Sequence, residues 1–468
     1  MKIRFSSVSL LTVSLALSAC AVGPDYKRPD APVSTHYKEA EGWKVSDPQA
    51  VNADPIWWSI FNDPVLDGLE KQVTVSSQSI ASAEAAYRGA LAAANVANAN
   101  LFPAVGANAG FTRQKVGSGP NSAVANSISI GAQASWDIDI WGKLRRSLEA
   151  AQATAESSGD QLAAARLAAQ SALASDYFAL RGADELKRLL DATVVAYEKS
   201  LQITRNQYKS GTAAKSDVDQ ALTQLESTRS EALAVVTTRA QLEHAMGVLL
   251  SKTPADFSVA PVDGLADTPT FPVTVPTALL ERRPDIAAAE RQMASANAQI
   301  GVAVAAYYPD LTLSGSIGQQ SSMFSKLFNS ASNVWSFGPS LADTLIDWGS
   351  RDAQVEQARA AYDSQVATYR QTVLNAFQQV EDDMIALTQL ARQAEVEGRA
   401  VEAAGEAERL ITNQYRAGTV AYTNVVTAQA AALQARQSAL TIRQNRLTTA
   451  VALLQAMGGG WKVETASQ

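Results

Sequence analysis

Two segments of strict alternation interrupt a chain whose apolar residues otherwise recur every three or four positions. Val105, Ala107, Ala109 and Phe111 alternate with Gly106, Asn108, Gly110 and Thr112. After a Gly/Ser/Pro/Asn-rich loop from Arg113 to Asn126 the alternation resumes. Ile128, Ile130, Ala132, Ala134, Trp136 and Ile138 then point one way, and Ser129, Gln133, Ser135, Asp137 and Asp139 the other. A period of two with aromatics near the ends is the pattern of a strand that meets lipid on one face and water on the other. It predicts strands over 104–113 and 127–139. Leu311, Leu313 and Ile317, then Trp335, Phe337 and Leu341, predict a second pair over 309–319 and 333–345. One such hairpin alone also fits a soluble, half-buried sheet, and that reading stays open here.

The rest of the pattern is helical. An alanine-rich stretch predicts a helix over 66–100, and the pattern from Lys143 stays helical to Lys209. Leu190, Val194, Tyr197, Leu201, Thr204 and Tyr208 step by fours and threes, a coiled-coil seam. A further helix is predicted over 216–250. In the second half, helices are predicted over 277–306, 350–416 and 423–458, the last with Val426, Leu433, Leu440, Leu447 and Leu454 at heptad spacing. A helix over 143–209 would be roughly 100 Å long at 1.5 Å per residue, which suits a tunnel wall and not a small globule.

The two halves are copies. Tyr208-Lys209-Ser210-Gly211-Thr212 recurs as Tyr415-Arg416-Ala417-Gly418-Thr419, and Trp141-Gly142 as Trp348-Gly349, both 207 residues on. Pro103 recurs as Pro309, and Ile80 and Glu84 as Ile286 and Glu290, 206 residues on. Ala245-Met246-Gly247 and Ala456-Met457-Gly458 suggest a further match, with a slip of one helical turn. Repeat 1 thus covers 65–250 and repeat 2 covers 277–460. A proline-rich connector (251–276) separates them, an extended segment (20–64) precedes them and a short tail (461–468) follows.

Composition narrows the setting. The chain has 468 residues, 18% of them charged, and a net charge of −7. That balance, without Lys/Arg clusters, argues against a nucleic-acid partner. After residue 20 no apolar run reaches the ~20 residues of a membrane helix, so any crossing must be made by strands. The only cysteine, Cys20, follows Leu17-Ser18-Ala19. Lys2, Arg4 and the short apolar run Phe5–Leu17 make 1–19 read as a lipoprotein signal peptide, with Cys20 as the acylated first residue. Four strands per chain cannot close a barrel. A dimer's eight would enclose only side chains, whereas a trimer's twelve leave room for water, and the polar strand face favours the trimer.

These residues resemble the TolC-type outer-membrane efflux channels, in the lipoprotein branch typified by OprM and NodT. The matching motifs are Cys20-Ala21-Val22-Gly23-Pro24-Asp25-Tyr26, Trp57-Trp58 with Phe61-Asn62-Asp63-Pro64, and Arg283-Pro284-Asp285-Ile286, besides the strand entries and Gly-Thr turns. The resemblance implies a mixed fold of an all-α coiled-coil tunnel plus a transmembrane β-barrel. It further implies a tandem-repeat protomer and a homotrimer that shares a 12-stranded barrel and a 12-helix periplasmic tunnel. The proline-rich segments and the tail would form an equatorial belt. It implies a passive gated duct for small molecules, working with a periplasmic adaptor and an inner-membrane pump of the RND type, anchored by Cys20 in outer-membrane lipid. Ala21, rather than Asp, after the cysteine fits that address.

The same resemblance places a periplasmic gate at the two turns, Gly211-Thr212 and Gly418-Thr419, with Asp217, Tyr415 and Tyr208 beside them. Asn424 and Thr427 stand where the family carries aspartates, and Val420 where it carries an arginine. The phenol of Tyr415 is expected to donate to the carboxylate of Asp217. An alternative for Asp217 is a plain helix-start residue favoured by the local dipole. His36 and His244 are the only histidines and are far apart in sequence, so no triad, metal site, cofactor or catalytic residue is indicated. Trp57-Trp58 reads as packing. Glu381-Asp382-Asp383 fits either the lumen or solvent. A lipid-anchored coiled-coil structural or adhesive protein is the competing class.

Overall fold

The computed structural model describes residues 21–34, 36–40, 43, 56–116, 123–262, 264–270 and 282–459. The signal segment, Cys20, part of the connector and the tail lie outside the described residues. The element order is α1 (Pro64–Ser76), α2 (Gln78–Ala99), β1 (Ala104–Val116), β2 (Ala123–Asp137), α3 (Lys143–Lys209), α4 (Lys215–Leu249), α5 (Pro284–Ala305), β3 (Asp310–Ser321), β4 (Asn333–Ala342), α6 (Ser350–Arg416) and α7 (Tyr422–Ala456).

Local chemistry sets the ends. Asp63 caps α1 by accepting from the N–H groups of Val65 and Leu66, and Pro64 occupies the first turn, where its missing N–H costs nothing. The single helix expected over 66–100 is two. Ser77 leaves the helical region at ψ 126°, and its hydroxyl turns to Ser79, 2.9 Å away, a local bond that competes with the helix. β2 stops at Asp137 because Asp139 is needed as a cap, accepting from the N–H groups of Leu144 and Arg145 at 3.1 and 2.9 Å. β4 ends at Ala342, short of the expected 345, for the matching reason. Arg351 draws in Asp343 and Asp347 at 3.2 and 2.7 Å.

The repeat is metrically even. α3 and α6 each have 67 residues, and α4 and α7 each have 35. No helical turn has slipped. Met246 lies inside α4 whereas Met457 is the C-cap of α7, so the Ala-Met-Gly likeness is not a structural equivalence.

The chain divides into two compact units. One is formed from parts of 1–31, 85–160 and 287–371 and holds a four-stranded antiparallel sheet in the order β1-β2-β3-β4. The register puts Phe111 opposite Ile128, Ala132 opposite Ile317, and Ile317 opposite Trp335. Residues opposite one another share a face, so these four strands carry one apolar face. On the other face Ser316 bonds Ser336 at 2.8 Å and Gln320 donates to Ser127 at 3.1 Å. Phe111, Ile317, Trp335, Phe337 and Leu341 are 65–77% exposed, so none of the described residues covers the apolar side.

Beneath the sheet, α5 packs on the first part of α3 through small side chains. Ser157 donates to the Ala288 carbonyl and Ser295 to the Ala150 carbonyl, both at 2.9 Å. The segment from Ala21 is strapped onto this pair and onto α6. Asn297 donates to the Pro24 carbonyl, Arg146 pairs with Asp25 at 2.7 Å, and Arg28 donates to the Tyr369 phenol.

The second unit comprises parts of 32–84, 161–286 and 372–468. Trp57, Trp58, Phe61, Leu66, Leu173, Tyr177 and Phe178 are all buried there, so the tryptophan pair is core. Tyr177 donates to Asp63, and Trp57 to Gln170. The connector is bound to helices through its backbone: Arg181 donates to the Ala260 carbonyl, and Glu243 accepts from the Val259 N–H. Of the acidic triplet on α6, Glu381 accepts from the N–H groups of Lys38 and Glu39 and Asp382 accepts from Gln378. The carboxyl of Asp383 is pushed up to about 6, by burial first and by Asp382 second.

Candidate functional site

The two Gly-Thr turns close the helix pairs α3–α4 and α6–α7, and both lie in the second unit. Each turn is built alike. Gly211 and Gly418 have φ +75°, a left-handed conformation that glycine adopts without steric cost. The Gly211 N–H reaches the Tyr208 carbonyl, and the Thr212 N–H the Gln207 carbonyl, at 3.0 and 2.9 Å. Gly418 and Thr419 repeat this onto Tyr415 and Gln414, the pattern of a Schellman cap. The threonine hydroxyls add a second bond to the same Gln207 and Gln414 carbonyls. Glycine supplies the backbone angle and threonine satisfies an orphan carbonyl.

Beyond the turns the copies diverge. Tyr208 is 47% exposed, whereas its counterpart Tyr415 is 8% exposed. Tyr422 opens α7 and is buried, with its ring 5.0 Å from that of Tyr415 in a T-shaped pair. Its counterpart at the start of α4 is Lys215, an exposed residue paired with Asp219. The tyrosine pair belongs to a cluster with Tyr197, Leu201, Val218, Ala221, Leu225 and Val425. This cluster ties the two helix pairs together. Tyr422 and Ser200 share a hydrogen bond at 3.1 Å, and α4 touches α7 directly.

Asp217 and Tyr415 do not form the expected bond. Asp217 is the third residue of α4 and accepts from the Ala214 N–H at 3.3 Å, a helix-start role. The Tyr415 hydroxyl is buried without a well-formed hydrogen bond among the described residues. Thr204, beside it, donates instead to the Ser200 carbonyl. Burial raises the pKa of both phenols, and the Asp217 charge pushes the same way. Asn424 is exposed, and Thr427 is exposed with its hydroxyl turned back to the Thr423 carbonyl. Cys20 lies outside the described residues. Pattern reading along the chain missed Tyr422 and Ser200. Comparing the copies position by position would have found Tyr422 opposite Lys215.

Among the described residues no group of His, Cys, Asp and Glu could hold a metal, and no helix is long and apolar enough to cross a membrane. The outer membrane efflux protein family matches residues 69–250 and 275–459. The chain is 30% identical to the probable efflux pump outer membrane protein TtgC of Pseudomonas putida, over 98% of this chain and 96% of that one. It is 30% identical to nodulation protein T of Rhizobium leguminosarum, over 91% of each. The solved structure of the outer-membrane channel OprN aligns with a TM-score of 0.88 at 28% identity, covering 94% of this chain and all of that one. With its four amphipathic strands and two long helix pairs, the chain belongs to the outer membrane efflux protein family, whose members are outer-membrane channels made of a helical tunnel and a β-barrel.

Proposed function

We propose that three copies of this chain close a shared 12-stranded barrel and a 12-helix tunnel, and that the assembly is a passive, gated export duct. The single observation that carries this is the sheet. It has one apolar and one polar face, and the outer edges of β1 and β4 are unpaired among the described residues. Unpaired edges and an uncovered apolar face are both costly in lipid. Repeating β4 against the β1 of the next copy removes the edges and leaves only the apolar face towards the bilayer. The polar face, rich in Ser and Gln, then lines water. The duct has no chemical step to perform, so no residue here acts as a catalyst.

The relatives named as efflux-pump outer-membrane proteins support an adaptor and an inner-membrane pump as partners, and the family resemblance of the sequence implies that the pump is of the RND type. Lipid at Cys20 would add an anchor to that of the barrel. The tip turns form the periplasmic mouth. Its closed state rests on the Tyr415–Tyr422 cluster, with Asp217 setting the start of α4 and Tyr208, Asn424 and Thr427 on the exposed rim. Native mass measurement in detergent tests the architecture. A mass of three chains is expected, and a monodisperse monomer or dimer would reject it.

A further inference from the structure

Charge divides the strand hairpins by end. The acids Asp137 and Asp310 stand where strands meet helices. Between residues 104 and 136 the only charged side chains are Arg113 and Lys115, and between 311 and 342 the only one is Lys326. All three are cations towards the hairpin ends, exposed and without an ion-pair partner among the described residues. Arg113 and Lys115 follow Phe111 by two and four positions, so they continue the apolar face and not the polar one. Arg113 lies opposite Asn126, and Ile128 opposite Ser321. Carried two residues on, the second pairing sets Asn126 beside Met323. Arg113 and Met323 then share one row, two strand spacings or about 10 Å apart.

The β3–β4 connection is folded to present apolar surface. Two short 3-10 turns, Phe324–Lys326 and Ser330–Ser332, shape it. The Lys326 carbonyl accepts from the Asn329 N–H and the Ser332 hydroxyl, at 3.1 and 2.7 Å, and Leu327 is buried. Phe324 and Phe328, on either side of Lys326, are 73% and 70% exposed. Two rings beside an ammonium are costly to leave in water. At a membrane surface the rings enter the acyl layer and the cation stays with the headgroups.

We propose that this rim binds the phosphorylated glycolipid of the outer leaflet, with Arg113, Lys115 and Lys326 on its phosphates and Phe324 and Phe328 among its acyl chains. The inference rests on the barrel reading above, in which the helices lie on the periplasmic side and the hairpin ends reach the outer leaflet. Sign and geometry fit phosphate at that level. A guanidinium takes phosphate oxygens in pairs, and an ammonium acts as a point charge. With β4 of one copy beside β1 of the next, the Lys326 loop of one copy and Arg113 and Lys115 of its neighbour flank a single site. Three such sites ring the trimer.

The test reads the lipid retained by the full chain in native mass spectra. Purified protein in detergent is mixed with diphosphorylated lipid A, with the same lipid dephosphorylated, or with phosphatidylglycerol. The parent should hold up to three diphosphorylated molecules per trimer, and at least tenfold less of either other lipid. Arg113→Gln, Lys115→Gln and Lys326→Gln together should lower that retention at least tenfold. Lys199→Gln, Arg205→Gln and Arg399→Gln remove the same charge from exposed helix positions and should change it less than twofold. Equal retention of the dephosphorylated lipid or of phosphatidylglycerol by the parent would overturn the proposal. So would unchanged retention in the rim variant, or an equal loss in the helix variant. A parent without a trimer mass would instead overturn the barrel reading.

Discussion

Glu70 of α1 is fully buried, and neither of its carboxyl oxygens has a hydrogen-bond partner among the described residues. Burial alone pushes its pKa from 4.5 up to about 9, so at neutral pH the folded protein holds this acid neutral. The unfolded chain loses the proton near 4.5 and the folded chain near 9, so the folded state binds more protons between them. Stability therefore falls as pH rises through that window. Glu70→Gln should raise the thermal unfolding midpoint in detergent by several degrees at pH 8 and do little at pH 4.5. That corresponds to on the order of 2 kcal/mol at neutral pH, and the midpoint measured against pH checks it. Gly418 gives a second prediction. A Cβ there meets nothing within 4 Å, so Gly418→Ala acts only through the left-handed backbone, at about 1–2 kcal/mol. Hydrogen exchange in the last turn of α6 should quicken by about tenfold. Gly418 was legible in the sequence because turn chemistry is local. Glu70 was not, because a charged residue on an amphipathic helix looks the same whether it faces water or core.

At the scale of elements, strand faces were readable because a period of two leaves little choice of face. Element ends were less so, since Ser77, Asp139 and Asp347 set them through side-chain bonds that periodicity does not record. The expected seam residues Leu190, Tyr197, Leu201 and Thr204 are buried, but Tyr208 falls off the seam. Which of two equivalent tyrosines turns inward is decided by the neighbouring helix pair, and no single-helix pattern contains that information. The start of α4 and the cluster around α7 thus separate two roles. Asp217→Ala removes a helix-start acceptor worth about 1 kcal/mol, and resting conductance should stay within twofold of the parent. Tyr422→Ala empties the cluster between the helix pairs and should raise resting conductance severalfold. Recordings in planar bilayers compare the two directly. Equal effects would return Asp217 to the gate.

At the scale of the whole molecule, duplication was the most legible property, because anchors such as Trp141-Gly142 and Tyr208 recur at one offset. The likeness of the copies hides a division of labour. Both keep the strand hairpin and the capped turn, while the tip residues differ in what they bury. The matched lengths of the helix pairs, 67 with 35 residues in each copy, make the wall a ruler cut twice from one template. An insertion in one half alone would leave its turn standing 1.5 Å proud per added residue, and a ring drawn from both halves would become a stepped rim. Descendants of this chain can lengthen or shorten only by paired changes, one in each half. Those changes must come in whole heptads if the seams are to stay in phase.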